Sequence, residues 1–198
     1  MHALDTDTGA TVLRALRDRR SIGKVRPEEP PRDLIEKIIT AAGWAPNHYR
    51  TAPWRFIVLA GEARESLGEV MAASLAGRLD DPENPECRQI VERERRKPLR
   101  APVVIAVAAI PSDGPKVMEI EELAATAAAV ENMLLAAQAL GLGAMWRTGP
   151  AAYDPEVKRF LALPEHAHIL AFVYVGYPDM PPSPEKRHDA LEQTTWLA

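Results

Sequence analysis

Three short segments, far apart in the chain, hold the residues whose types and spacing could do chemistry. The first, RRSIGKVRP at 19–27, sets Arg19, Arg20, Lys24 and Arg26 around one hydroxyl, Ser21. Guanidinium groups offer paired, planar donors and a hydroxyl adds one more, which suits a phosphate. The second, APNHYRTAPW at 45–54, and the third, GLGAMWRTG at 141–149, mix tryptophan and arginine, and the second adds a histidine. Such a mixture suits a flat heteroaromatic: an aromatic face stacks, and donors meet ring carbonyls and nitrogens. Each segment also has a plain structural explanation. Cations at the end of a helix complement its dipole, Trp54 reads as a core residue, and Trp146 ends an apolar strand. The three together point to a bound ring that carries an anion.

Other chemistries lack their residues. Gly141 and Gly143 form G-x-G, but after a helix and before a strand, the reverse of a dinucleotide fingerprint. Neither a P-loop nor a G-x-S-x-G elbow occurs. His166 and His168 are close, but His48 and His188 are remote in sequence and Cys87 is the single cysteine, so no metal site is expected. One cysteine also leaves no intramolecular disulfide. At 198 residues and net charge -4, the chain fits one domain, residues 1–198, and does not fit a nucleic-acid binder. The N-terminal segment lacks an apolar run of signal-peptide length. The most apolar stretch, 103–110, is too short to span a bilayer. The expectation is a soluble, cytoplasmic protein with no membrane partner.

The elements that must position these segments can be read from periodicity. Val12, Leu13 and Leu16 mark a helix over about 7–18, capped by Asp7 or Thr8 and ending in the basic cluster. Pro30 and Pro31 open a second helix, with Leu34, Ile35, Ile38 and Ile39 as its stripe and Gly43 at its end. A strand at 56–59 stops at Gly61, and a helix over 62–76 follows, with Leu67, Val70, Met71 and Leu75 on one side. A turn-rich break at 80–85 leads to a helix over 86–97, whose mixed Arg and Glu read as a solvated face, or else as a mobile cover over a site. Residues 103–110 suit a strand buried on both faces. The longest helical pattern, 116–140, has Leu123, Ala127, Val130, Leu134 and Ala137 on one stripe and small residues nearly all round, with Gly141 as its cap. LGAMWR is a short strand, Asp154-Pro155 opens a brief helix, and 168–175 is a strand stopped by Gly176 and Pro178. Leu191, Trp196 and Leu197 in the tail are anchors that should pack on something. Helices first, then strands alternating with helices, give an α+β or α/β layered domain with one main sheet.

At these residues the chain resembles the nitroreductase family of flavoproteins. The resemblance runs from RRSIGKVRP through APNHYRTAPWRFIVL to AATAAAVENMLLAAQALGLGAMWRTG and the final strand ending VGYP. It is closest to the small single-domain FMN-dependent branch. That branch has R-A-P-D-H, then P-W, then G-x-W-R-S-G; here these read W-A-P-N-H, P-W and A-M-W-R-T-G. The fold it implies is α+β: a central mixed sheet flanked by helices, with a long buried Ala-rich helix, in a dimer. It implies FMN at the interface of a homodimer. Arg19, Arg20 and Ser21 would hold the phosphate and ribityl part. Trp44 and His48 would reach the flavin from the partner chain, and Trp146, Arg147 and Thr148 would contribute on the other side. Arg187 is a further phosphate candidate, while Lys24 and Arg26 are ligands or simply surface charges.

The resemblance also implies an FMN-dependent NAD(P)H oxidoreductase with a ping-pong mechanism. NADH or NADPH would deliver hydride to the flavin N5 and leave. A small-molecule acceptor, such as a nitroaromatic or quinone, would then take the electrons. The flavin carries the chemistry, so no catalytic side chain is assigned; Arg147 or Arg50 is a candidate to face the charge near N1. Several positions depart from the pattern. Arg50 and Ala52 stand where the family loop has Asn and Gln, Trp44 where the branch has Arg, and Gly23 and Val25 where Arg and Phe are frequent. These positions touch the flavin edge and the substrate side. Two rivals stay open: a flavin-binding dimer without reductase turnover, for storage or regulation, and a same-fold enzyme of other redox chemistry, such as flavin fragmentation or dehalogenation.

Overall fold

The computed structural model describes residues 6–184 and 189–197. At its centre lies β2 (Val103–Ala109), every side chain of which is buried. Its run of valine, isoleucine and alanine has no polar position, so it needs cover on both faces. On one side β2 pairs with β1 (Trp54–Ala60) and on the other with β4 (His168–Gly176), while β3 (Gly143–Arg147) pairs with β4. The order is β1-β2-β4-β3, which leaves β1 and β3 as the edges.

The mixed sheet implied by the resemblance is corrected here: every strand pairing among the described residues is antiparallel. β2 and β3 run in the same direction and are joined through a helix, the connection that a parallel pair requires. They are not neighbours, because β4 inserts between them and pairs antiparallel with both.

Alternation along the strands sorts the core into two layers. Val103, Ile105 and Val107 of β2 face α2 (Arg32–Ala42) and α5 (Glu119–Ala139). Val104, Ala106 and Ala108 face α3 (Glu62–Ala76) and α6 (Pro155–Phe160). α2 buries Ile35, Ile38 and Ala42, half of the expected stripe. α5 buries the later part of the expected stripe, Val130, Leu134 and Ala137, but not its start. Glu122, Ala125, Thr126, Ala129, Val130, Met133, Leu134 and Ala137 are inside, while Leu123 and Ala127 are only half-buried. A helix that is small and apolar nearly all round has no periodicity strong enough to choose its own face, so the sheet chooses it.

Two apolar groups stay at the surface. On α1 (Thr6–Asp18), Val12, Leu13 and Leu16 are exposed, and so are the tail anchors Leu191, Trp196 and Leu197. The tail anchors therefore have no cover within the described residues. α4 (Pro85–Arg95) is capped by Asn84, whose Oδ1 accepts from the Glu86 amide at 2.9 Å. It lies against α3 at Gly68, where a Cβ would collide with the carbonyl oxygen of Arg95.

Asp154 ties α6 to the end of α3. It caps α6 by accepting from the Glu156 amide at 2.9 Å, and its Oδ2 accepts from Ser74 Oγ at 2.5 Å and Arg78 Nη1 at 2.9 Å. Burial pushes this carboxyl up, but the hydrogen bonds from Ser74, Arg78 and the Glu156 amide outweigh it and hold it below the usual range. A depressed folded value means that the stabilisation is complete above the unfolded value, about 3.9, and is lost as pH falls through the folded one. Urea unfolding of Asp154→Asn should show a loss of about 2 kcal/mol at neutral pH, because the amide oxygen can still cap α6 but the charge facing Arg78 is gone. The gap to the wild type should close as the pH falls below about 4. Gly68→Ala should lower stability by about 1–3 kcal/mol in thermal melts, since α4 must move away.

Candidate functional site

Residues 19–26 leave α1 and run as an extended strap along β3 and the end of β4. Ile22 N donates to Ala144 O at 3.0 Å, Arg26 N to Tyr177 O at 2.8 Å, and Asp179 N to Lys24 O at 3.0 Å. The strap's cations have partners inside the chain. Arg19 Nε donates to Glu131 Oε1 on α5 at 3.1 Å. Arg20 donates to the carbonyls of Arg17 and Arg19, both at 2.9 Å, and to that of Ser183 at 3.2 Å. Arg20 thus closes the last turn of α1. Lys24 pairs with Asp179 at 2.7 Å, and Arg26 lies 5.0 Å from the Tyr177 ring centroid. Ser21 is exposed and donates to no described residue. Arg187 lies outside the described residues.

The second segment forms the loop between α2 and β1. Trp44 stands out at 76% exposure. The His48 ring stacks on Tyr49, centroids 3.9 Å apart, and its Nδ1 is 2.7 Å from Glu121 Oε2. Tyr49, Arg50 and Ala52 have φ of 60°, 56° and 49°. For residues other than glycine this left-handed region costs about 1–2 kcal/mol each. Two of the three, Arg50 and Ala52, are positions where the chain departs from the family loop. The loop is tied down from within and from below. Asn47 Oδ1 accepts from Ala52 N at 2.7 Å, and Glu122 Oε1 accepts from Thr51 Oγ1 at 2.5 Å and Asn47 Nδ2 at 3.3 Å. Glu122 is a residue that sequence reading passed over, because it sits in the acidic first turn of a helix, where carboxylates are commonplace.

The third segment is β3 and the turn after it. Trp146 is partly exposed and its Nε1 donates to Leu170 O at 2.9 Å, which holds the indole on the sheet edge. Arg147 turns to the α3 side, its Cζ 5.5 Å from the Tyr174 ring centroid. There it meets a cavity of about 150 Å³, lined also by Thr148, Glu94, Lys97, Arg100 and Tyr174 over an apolar floor of Leu67, Met71 and Phe172. Lys97 pairs with Glu94. Three cations and one carboxylate leave this cavity positive. Burial pushes the Tyr174 phenol up to about 12, so its hydroxyl stays a neutral donor. A Cβ on Gly23 would come within 3.8 Å of Arg147 Nη2, so the strap passes directly beside this guanidinium.

Glu94 and Lys97 come from the 86–97 stretch read as a solvated face, and Arg100 lies just beyond it. That reading holds for the first turns of α4 and is corrected for its end. The buried Pro98 closes α4, and residues 97–100 form a 3₁₀ turn that brings Lys97 and Arg100 in to line the cavity. The KP step was the available signal, since proline cannot continue a helix.

One chain does not gather all three segments. The strap and β3 lie together, but the 45–53 loop enters β1 at the opposite edge of the sheet. Three inter-strand spacings separate those edges by about 14 Å. On α5, Glu121 beneath His48 and Glu131 beside Arg19 are ten positions apart, or about 15 Å. The cavity is also smaller than the roughly 300–1,000 Å³ of ordinary small-molecule sites. It can take the edge of a ring and leaves the rest to be covered from outside the chain.

Comparison with known proteins identifies the family. The Nitroreductase family model matches residues 16–177. The *Escherichia coli* K12 protein named "Putative NAD(P)H nitroreductase YdjA" is 31% identical over 169 residues, covering 85% of this chain and 88% of that one. Iodotyrosine deiodinase 1 of *Mus musculus* is 28% identical over 189 residues, covering 90% of this chain and 66% of that one. A *Desulfovibrio desulfuricans* protein whose crystal structure is in complex with FMN superposes with TM-score 0.72 at 28% identity, covering 94% of this chain and 96% of that one. Matched from the end of α1 to the residue after β4, with the strap, loop and β3 in the family's order, the chain belongs to the nitroreductase family.

Proposed function

We propose that the chain is an FMN-dependent NAD(P)H oxidoreductase that works in the cytoplasm as a homodimer, with FMN at the interface. The observation that carries this reading is the positive cavity beside Arg147 and Thr148, next to the strap and too small to enclose a ligand alone. The names of relatives add support: one is called an NAD(P)H nitroreductase, and one is solved with FMN.

The residues present fit such a group. Arg19 and Ser21, with Arg20 behind them, suit the phosphate end, where guanidinium and hydroxyl donors are needed. Arg147, Lys97, Arg100 and the Tyr174 hydroxyl suit a ring edge that carries carbonyls and gains negative charge, because donors fixed in a half-enclosed cavity need no reorganisation. Thr148 lines the same cavity, and Trp146 would contribute from the neighbouring position on β3. Trp44 and His48, stranded at the far edge of their own chain, would come to this cavity from the second copy. The exposed apolar face of α1 and the tail anchors give that copy surface to cover. FMN would supply the redox chemistry, taking a hydride from NADH or NADPH and handing two electrons to a quinone or nitroaromatic, with the donor leaving before the acceptor enters. The chain's own part is to bind, orient and bias charge; no side chain on the cavity is placed as an essential acid, and water can supply protons.

The deiodinase among the relatives favours a second reading, reductive removal of halide from an aromatic at the same site.

Protein purified without added flavin should be yellow and release roughly one FMN per chain. It should oxidise NADH or NADPH with menadione or a nitrobenzoate; turnover with a halogenated phenol alone would favour the second reading. A colourless protein that also fails to take up added FMN would remove both. Arg147→Ala and Lys97→Ala should each raise the FMN Kd about tenfold, equivalent to about 1.4 kcal/mol, in fluorescence titrations. Light scattering should report a dimer.

A further inference from the structure

We infer that Glu122 is a positioning residue, acting through the loop above it to set how Trp44 and His48 meet the flavin of the partner subunit. The inference rests on the flavin reading above.

Glu122 is 1% exposed, yet it occupies a stripe of α5 otherwise filled by alanine, valine, threonine, methionine and leucine. A buried carboxylate is costly unless its oxygens are matched. Here Oε1 takes both the Thr51 hydroxyl and the Asn47 amide, and Oε2 has no partner among the described residues. An apolar side chain would serve packing better, so the carboxylate is retained for what it holds.

What it holds is strained backbone. Thr51 has one proton to give, and at 2.5 Å it goes to Glu122 rather than to Asn47 Oδ1 at 3.2 Å. Asn47 Oδ1 is then left for the amide of Ala52 at 2.7 Å, while its Nδ2 reaches back to Glu122. The left-handed residues 49, 50 and 52 are therefore bracketed by Asn47 and by the right-handed Thr51, both fastened to one buried oxygen. Backbone in this region persists only where its surroundings over-determine it, and it gathers at functional sites. The preceding residue, Glu121, holds the imidazole of His48. Two successive carboxylates divide the work: the buried one fixes the loop's backbone, and the exposed one fixes the ring that the loop carries.

The test compares the FMN-loaded wild type with Glu122→Ala, Glu122→Gln and Thr51→Val. It reads FMN affinity, the visible circular dichroism of the bound flavin, trypsin cleavage after Arg50, and the melting temperature. Glu122→Ala removes the acceptor that Thr51 and Asn47, both half-buried, share, so FMN Kd should rise about tenfold and cleavage after Arg50 should quicken by a similar factor. The visible dichroism should change with them. Glu122→Gln keeps an acceptor for Thr51 and Asn47 and should restore affinity to within about threefold of wild type. If Glu122→Ala does not fold, Thr51→Val removes one donor only and should move the same readouts in the same direction. Lowered melting temperature with unchanged Kd, dichroism and cleavage would overturn the inference and leave Glu122 as a core residue. A wild type that binds no FMN would sink the flavin reading and the flavin half of this inference. Cleavage after Arg50 would then decide by itself whether Glu122 holds the loop.

Discussion

The structure depends on one constraint: β2 has no side chain that can face water. Seven apolar residues in a row must be covered on both faces, which requires helices above and below the sheet. It also requires a strand on each side of β2, so neither of its edges can carry a site. Function is pushed outward to β1 and β3. The loop before β1 and the turn after β3 lie at the same end of the sheet but on opposite edges, with the buried strands between them. In the homodimer proposed above, the second copy would bring one edge to the other, with the exposed apolar residues of α1 and the tail as surface for it.

Charge is handled differently at each depth of this fold. Exposed ion pairs such as Arg32 with Glu36 and Lys37 with Asp33 are single-turn helix pairs of a few tenths of a kcal/mol each. The buried carboxylates are used as fasteners. Asp154 is fully matched and joins α3 to α6. Glu122 is matched on one oxygen only and joins α5 to a strained loop. The first arrangement is what stability alone selects. The second accepts an unmatched oxygen, which is the mark of a position kept for geometry at a site. The cavity beside Arg147 is a third case, where excess positive charge is left available to a ligand.

Much of the architecture was legible because the signals were local. Proline pairs, Asx caps and glycine stops bounded α2, α4, α5 and α6 within a few residues, since each acts on its own turn of helix. The strap, loop and β3 segments were legible by composition. Two features were not. The 86–97 run ending in RRK looked solvated, because mixed charge reads the same whether its last turn faces water or lines a cavity. Glu122 looked like an ordinary first-turn acid, because dipole complementarity explains an acid there without any partner.

The sequence by itself determined the elements, the apolar centre and the three unusual segments, because hydrophobic period, caps and residue chemistry are properties of neighbours in the chain. Only the tertiary structure decided that β4 separates β2 from β3, that Glu122 rather than Leu123 begins the buried face of α5, and that Lys97 and Arg100 share a cavity with Arg147. It also decided that Glu122 carries the loop of His48. Each of these is a choice between arrangements with nearly equal local free energy. Contacts between residues distant in sequence settle it, and no local pattern records them.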